Sequence, residues 1–104
     1  MRELEMIYEV AEISVLIGQE EYFEKAVYKA SQHFKEAKGC IGLKLERSIE
    51  TPNHYRLIVG WNTVEDHMVT FKNSEGFKKW RELASPFFEK PPKVEHVKQV
   101  LEAF

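Results

Sequence analysis

Side chains able to move a proton near neutral pH are few in this sequence. The histidines His33, His54, His67 and His96 have ordinary pKa values in that range. They lack the spacing of metal ligands, and no His-Glu-x-x-His run is present, so the sequence predicts no metal site. His67 recurs with Val64, Met68 and Phe71 at helical spacing, on an apolar stripe. His96 falls within the strand-like run VEHVKQV, with Val94 and Lys98 on its face. A histidine on an apolar face is either a satisfied core group or a general acid or base. His67 and His96 are the candidates for catalysis, whereas His33 and His54 read as exposed. If the last strand lies under the second helical segment, His67 and His96 share one pocket.

The groups that would shape such a pocket are aromatic. Trp61 closes a strand-like run and reads either as a wall for a flat ligand or as a core residue whose indole N–H bonds a carbonyl. Asn62 follows it, and its amide could hold a substrate oxygen or start a turn. Tyr55 offers a further polar tip. Phe71 and Trp80, with Phe77 and Phe87, read first as core and second as a ligand clamp.

The elements that must position these residues follow from periodicity. Met6 to Ile17 reads as a long strand with apolar residues on both parities: Ile7, Ala11, Ile13 and Val15 on one, Tyr8, Val10 and Leu16 on the other. Such a strand is buried on both faces, which calls for helices on one side and a second sheet or subunit on the other. Gln19 to Lys38 is helical, with Phe23, Ala26, Val27, Ala30, Phe34 and Ala37 as its stripe and Gly39 as a terminator. Cys40 to Glu50 is a second strand, with Ile41, Leu43 and Leu45 on one face, and Gly42 marks a bulge or a close approach. Thr51-Pro52-Asn53-His54 is a turn into a third strand, Tyr55 to Trp61. Thr63 and Ser74 are helix caps, Thr63 with Asp66 in capping-box spacing. Pro91 and Pro92 end the second helical region, and Val94 to Val100 is the last strand. The order is β-α-β-β-α-β, the split unit of an α+β ferredoxin-like fold with an antiparallel sheet. Residues 1–104 read as one domain.

Composition excludes several classes. With 17 acidic against 15 basic side chains, the net charge of -2 attracts neither nucleic acid nor anionic membrane. Lys25, Lys29, Lys78, Lys79 and Arg81 alternate with acids and read as solvated helix faces. Lys44, Tyr55 and Arg56 are too few for a nucleic-acid-binding sheet. The single cysteine, Cys40, makes no internal disulfide and reads as a small apolar residue. No stretch is long and apolar enough to span a bilayer, and the acidic N-terminus is unlike a signal peptide. The expectation is a cytoplasmic protein without a nucleotide cofactor, since no glycine-rich phosphate loop is present.

The series Trp61, Glu65-Asp66-His67, Phe71, Ser74, Phe77, Trp80-Arg81, Leu83, Pro86-Phe87-Phe88, Pro91-Pro92 and Val94-Glu95-His96-Val97 resembles the antibiotic biosynthesis monooxygenase domain family. The resemblance covers nearly the whole chain and is strongest in its second half. It implies a homodimer in which two sheets pack face to face as a dimeric α/β barrel. It also implies a cofactor-independent monooxygenase acting on an aromatic or polyketide-like small molecule in an apolar pocket. In that reading His67, Asn62 and His96 are catalytic, and Trp61, Tyr55, Phe71 and Trp80 bind substrate. The alternative is a non-catalytic small-molecule-binding or stress-related protein with the same pocket. Haem-degrading relatives use a pocket histidine and an asparagine early in the first strand, and Met6 to Val10 contains no asparagine.

Overall fold

The computed structural model describes residues 6–104. Its elements run β1 (Ile7–Ser14), α1 (Glu20–Lys35), β2 (Cys40–Arg47), β3 (His54–Trp61), α2 (Glu75–Ala84) and β4 (Lys93–Val97), with a π-helical segment at Asp66–Phe71 and a short 3-10 turn at Ser85–Phe87. The four strands form one sheet in the order β2-β3-β1-β4, and each pairing is antiparallel. This is the ferredoxin-like α+β arrangement that the element order implies.

The helices cover one face of the sheet. Phe23, Val27, Ala30 and Phe34 of α1 are buried, as the predicted stripe requires. They meet Ala11, Ile13, Leu57, Val59 and Trp61, which share one parity of β1 and β3. Phe34 lies between Phe71 and Trp80, with ring centroids at 4.8 and 5.4 Å, so α1 anchors both the π-helical segment and α2. Burying aromatic groups of this size adds to the stabilisation from the aliphatic core residues.

The other parity forms an open face. Tyr8, Val10 and Ile58 are half-buried there, and Val97 is 43% exposed. Ile41 joins them. The sequence places Ile41 with Leu43 and Leu45, but the register of β2 on β3 shifts between Cys40 and Gly42. That bulge turns Ile41 outward, 53% exposed, and its Cβ falls beside Gly60. Strand β1 is also shorter than its composition suggests. Beyond Ser14 the backbone bonds to Asn53 and Phe87 instead of a regular ladder, which leaves Leu16 and Ile17 on the surface.

Both caps form, although among the described residues the Thr63–Asp66 box shows only the half that Thr63 accepts. Ser74 Oγ accepts the N–H of Phe77 at 3.2 Å, and Thr63 Oγ1 accepts that of Asp66 at 2.9 Å. The helix after Thr63 then widens. The Lys72 N–H reaches the carbonyl of His67 at 3.1 Å, a five-residue step in place of four. Gly39 has φ +79°, and a Cβ there would collide with the Asp66 side chain. Glycine thus lets the β2 entry pass directly under the start of the π-helical segment.

Candidate active site

The site begins with a carboxylate on the covered face of β1. Glu9 has the parity of Ile7, Ala11 and Ile13, so its side chain enters the layer between sheet and helices. It is 6% exposed. Strand pairing sets its neighbours: Glu9 lies opposite Val59 of β3 and opposite His96 of β4. The π-helical segment lowers His67 onto the same spot.

These groups form a continuous chain. The Trp61 indole N–H donates to Glu9 Oε1 at 3.1 Å. His67 Nε2 lies 3.2 Å from the same oxygen, and His67 Nδ1 lies 2.8 Å from His96 Nε2. The indole of Trp61 stacks on the imidazole of His67, with centroids 5.2 Å apart and planes 19° from parallel, which fixes the ring's orientation. His67 is buried, while His96 is half-buried and opens toward a cavity.

Burial dominates the electrostatics. It raises the Glu9 carboxyl from 4.5 to about 7, against the smaller opposing effects of the Trp61 hydrogen bond and the Lys72 charge. Burial also lowers His67 to about 4, helped by repulsion from His96 and Lys72. Near neutral pH the imidazole in the Glu9–His67 contact is therefore uncharged, and the contact is not an ion pair.

The network admits two proton arrangements. With Glu9 ionised, a proton on His67 Nε2 faces Glu9 at 3.2 Å, His96 Nε2–H donates to His67 Nδ1, and the lone pair is left on His96 Nδ1. A proton taken up at His96 Nδ1 can be balanced by transfer from His96 to His67 and from His67 to Glu9. The carboxyl is then neutral and both imidazoles remain uncharged. A carboxyl with a pKa near 7 is suited to ending such a relay.

The cavity beside His96 has a volume of about 690 Å³. Met68, Phe77, Trp80, Phe88, Pro91, Pro92 and Val94 supply its apolar lining, with Glu9, His67 and His96 at one end. Among the described residues, no group of three or more His, Cys, Asp or Glu is placed to hold a metal ion. Likewise, no helix of the described residues is long and apolar enough to cross a membrane.

The residues singled out from sequence are distributed unevenly. His67 and His96 meet, and Trp80 lines the same cavity. Trp61 does not line it. It is fully buried and supports His67 from behind, and its N–H partner is a carboxylate, not the carbonyl expected. Phe71 is likewise behind His67, packed on Phe34 and Trp61. Asn62 is exposed and outside the cavity lining, because its backbone N–H is tied to the Gly39 carbonyl just past the end of β3. Tyr55 is displaced toward the Ser14 end of β1, in a separate polar groove with Arg47 and His54. Its ring is buried against Phe23 of α1, and its hydroxyl donates to Glu24 of the same helix at 2.6 Å. Sequence reasoning missed Glu9. The available signal was a single carboxylate interrupting the parity of Ile7, Ala11, Ile13 and Val15.

Comparison with known proteins agrees with this architecture. The family model described as Antibiotic biosynthesis monooxygenase matches residues 6–83. The Bacillus subtilis (strain 168) protein YczJ, itself uncharacterized, is 34% identical over 95 residues, covering 91% of this chain and 100% of YczJ. A crystal structure from Bordetella bronchiseptica, of a protein assigned only provisionally as an antibiotic biosynthesis monooxygenase, superposes with a TM-score of 0.91 at 47% identity, covering 92% of this chain and 98% of that one. A protein from Nitrosomonas europaea with the same provisional assignment shares the fold at a TM-score of 0.81 and 17% identity, covering 96% and 95% of the two chains. With the family model spanning most of its length and a relative 34% identical over 91% of it, the chain belongs to the antibiotic biosynthesis monooxygenase family.

Proposed function

We propose that this protein is a cofactor-independent monooxygenase for an aromatic or polyketide-like small molecule. One observation carries the reading: the Glu9–His67–His96 chain, at 3.2 and 2.8 Å, ends in an apolar, aromatic-lined cavity large enough for a fused-ring substrate. Family membership supports it.

In the proposed reaction His96 Nδ1 removes a proton from an activated C–H or phenolic O–H of the substrate. The relay stores that proton on Glu9. The resulting electron-rich carbanion or phenolate passes electrons to dioxygen and combines with it at carbon as a peroxide. Return of the proton lets the O–O bond break, so that one oxygen remains as a carbonyl and the other leaves as water. A methylene group plus dioxygen thus yields a ketone plus water, with the substrate as the only reductant. The apolar lining favours this sequence by keeping solvent from the carbanion. His67 and Glu9 act through His96 as positioning residues, and Trp80 forms a wall for the ring system.

The functional unit in this reading is a homodimer, in which the open face bearing Tyr8, Val10, Ile41 and Ile58 packs on its symmetry mate. Oxygen uptake with anthrone and hydroquinone substrates, monitored with product formation, tests the activity. Absence of uptake by a protein that still binds these compounds would leave a binding protein. That second reading draws on the full burial of His67 between Trp61 and Glu9, an arrangement that also serves packing.

A further inference from the structure

Cations collect at this cavity although the chain as a whole is acidic. Lys72, Arg81 and Lys90 all line it, and among the described residues the one carboxylate in the lining is Glu9. Glu9, raised to about 7 by burial, offsets at most one of the three positive charges. None of the three is in an ion pair among the described residues, where the pairs involve Lys38, Arg47, His67 and Lys79. Two of them lie over one aromatic ring. Lys72 Nζ lies 5.9 Å and Arg81 Cζ 6.0 Å from the centroid of Phe77, itself a lining residue. Lys72 also shifts both Glu9 and His67 electrostatically, so its ammonium is within range of the relay.

An apolar cavity bordered by cations that have no ion-pair partner among the described residues is shaped for a ligand with two parts. A neutral hydrocarbon would fill the lining and leave the cations without partners. A flat ring system bearing an acidic group satisfies both. From Phe77, Lys72 and Arg81, together with Lys90, we infer that the ligand is an aromatic carboxylate. Its rings lie against Phe77, Trp80 and Phe88, and its carboxylate is bound by Lys72, Arg81 and Lys90. This deepens the reading of the cavity as an aromatic-ligand site and rests on it. The same cations would stabilise negative charge that develops on the substrate when His96 removes a proton.

The test uses two non-oxidisable probes of matched shape, anthraquinone-2-carboxylate and anthraquinone-2-carboxamide. Their affinities for the full chain are measured by calorimetry at low and high salt. The expected result is at least a tenfold preference for the carboxylate at low ionic strength, reduced to a few-fold in 0.5 M salt, consistent with screening of exposed charges. In the triple variant Lys72→Gln, Arg81→Gln, Lys90→Gln the preference falls below twofold, while carboxamide affinity stays within twofold of wild type. These positions are exposed, so the substitutions leave the core intact. Equal binding of both probes by the wild type would overturn the inference and leave the aromatic site standing. Failure of both probes to bind would overturn the two together. A carboxylate preference without oxygen uptake from any oxidisable anthrone or hydroquinone carboxylate would sustain the inference and sink the oxygenase.

Discussion

His67 Nδ1 and His96 Nε2 lie 2.8 Å apart although 29 residues separate them in the chain. One comes from a π-helical segment above the sheet and the other from an edge strand within it. The contact joins His96, at the cavity, to His67, which lies 3.2 Å from the buried Glu9 carboxylate. It is therefore the joint through which a base at the cavity can communicate with a buried carboxylate.

If that joint carries protons, His96→Gln should lower kcat for anthrone oxidation by ~10²–10⁴-fold, the usual worth of a positioned general base. His67→Gln should cost nearly as much, and the double variant little more than either single one, because residues acting as a unit are not additive. Steady-state kinetics on the three variants, with folding checked by circular dichroism, provides the measurement. Full additivity would separate the two histidines functionally.

The raised pKa of Glu9 has a consequence for stability. The native state holds a proton on Glu9 more tightly than the unfolded chain does, so this group stabilises the fold fully below about pH 4.5. The contribution is lost as pH rises toward about 7. His67 works in the opposite direction. Its lowered pKa means that its stabilising contribution is absent near pH 4 and complete above 6.5. Glu9→Gln removes the first effect and leaves the second. Urea unfolding should show the variant more stable than wild type at pH 8 by ~1–3 kcal/mol, with the gap closing below pH 5. A gap independent of pH would mean that Glu9 is not held neutral by burial.

The apolar group on the uncovered face of the sheet predicts self-association. Ile58→Asp places a charge at the centre of that face, opposite Val10 in the β1–β3 register. Sedimentation should show a dimer for the native chain and a monomer for the variant, since an unpaired charge in such an interface costs several kcal/mol. A monomeric native chain would remove the barrel from the proposed function.

Gly39 links backbone geometry to the site. Gly39→Ala would combine a left-handed φ with a collision against Asp66, at a cost of ~1–3 kcal/mol. Because Asp66 opens the segment that carries His67, substrate turnover should fall together with stability. By comparison, Ser74→Ala removes only the cap of α2 and should cost ~1 kcal/mol while leaving the His67–His96 contact in place. Thermal denaturation and oxygen uptake on both variants distinguish the two effects.

Local pattern determined much of this protein. The strand character of β1, the stripe of α1, the turn before β3 and the Ser74 cap could all be read directly, because each depends on residues a few positions apart. His67 and His96 were visible as candidates for the same reason. Tertiary structure alone decided the rest. The bulge at Ile41 and the widened turn after Asp66 change which way side chains face, and neither follows from a simple period. Glu9 became part of the site only because antiparallel register sets it beside His96 while the π-helical segment brings His67 over both. Such meetings depend on pairings between distant segments, whereas periodicity reports only which face of its own element a residue occupies.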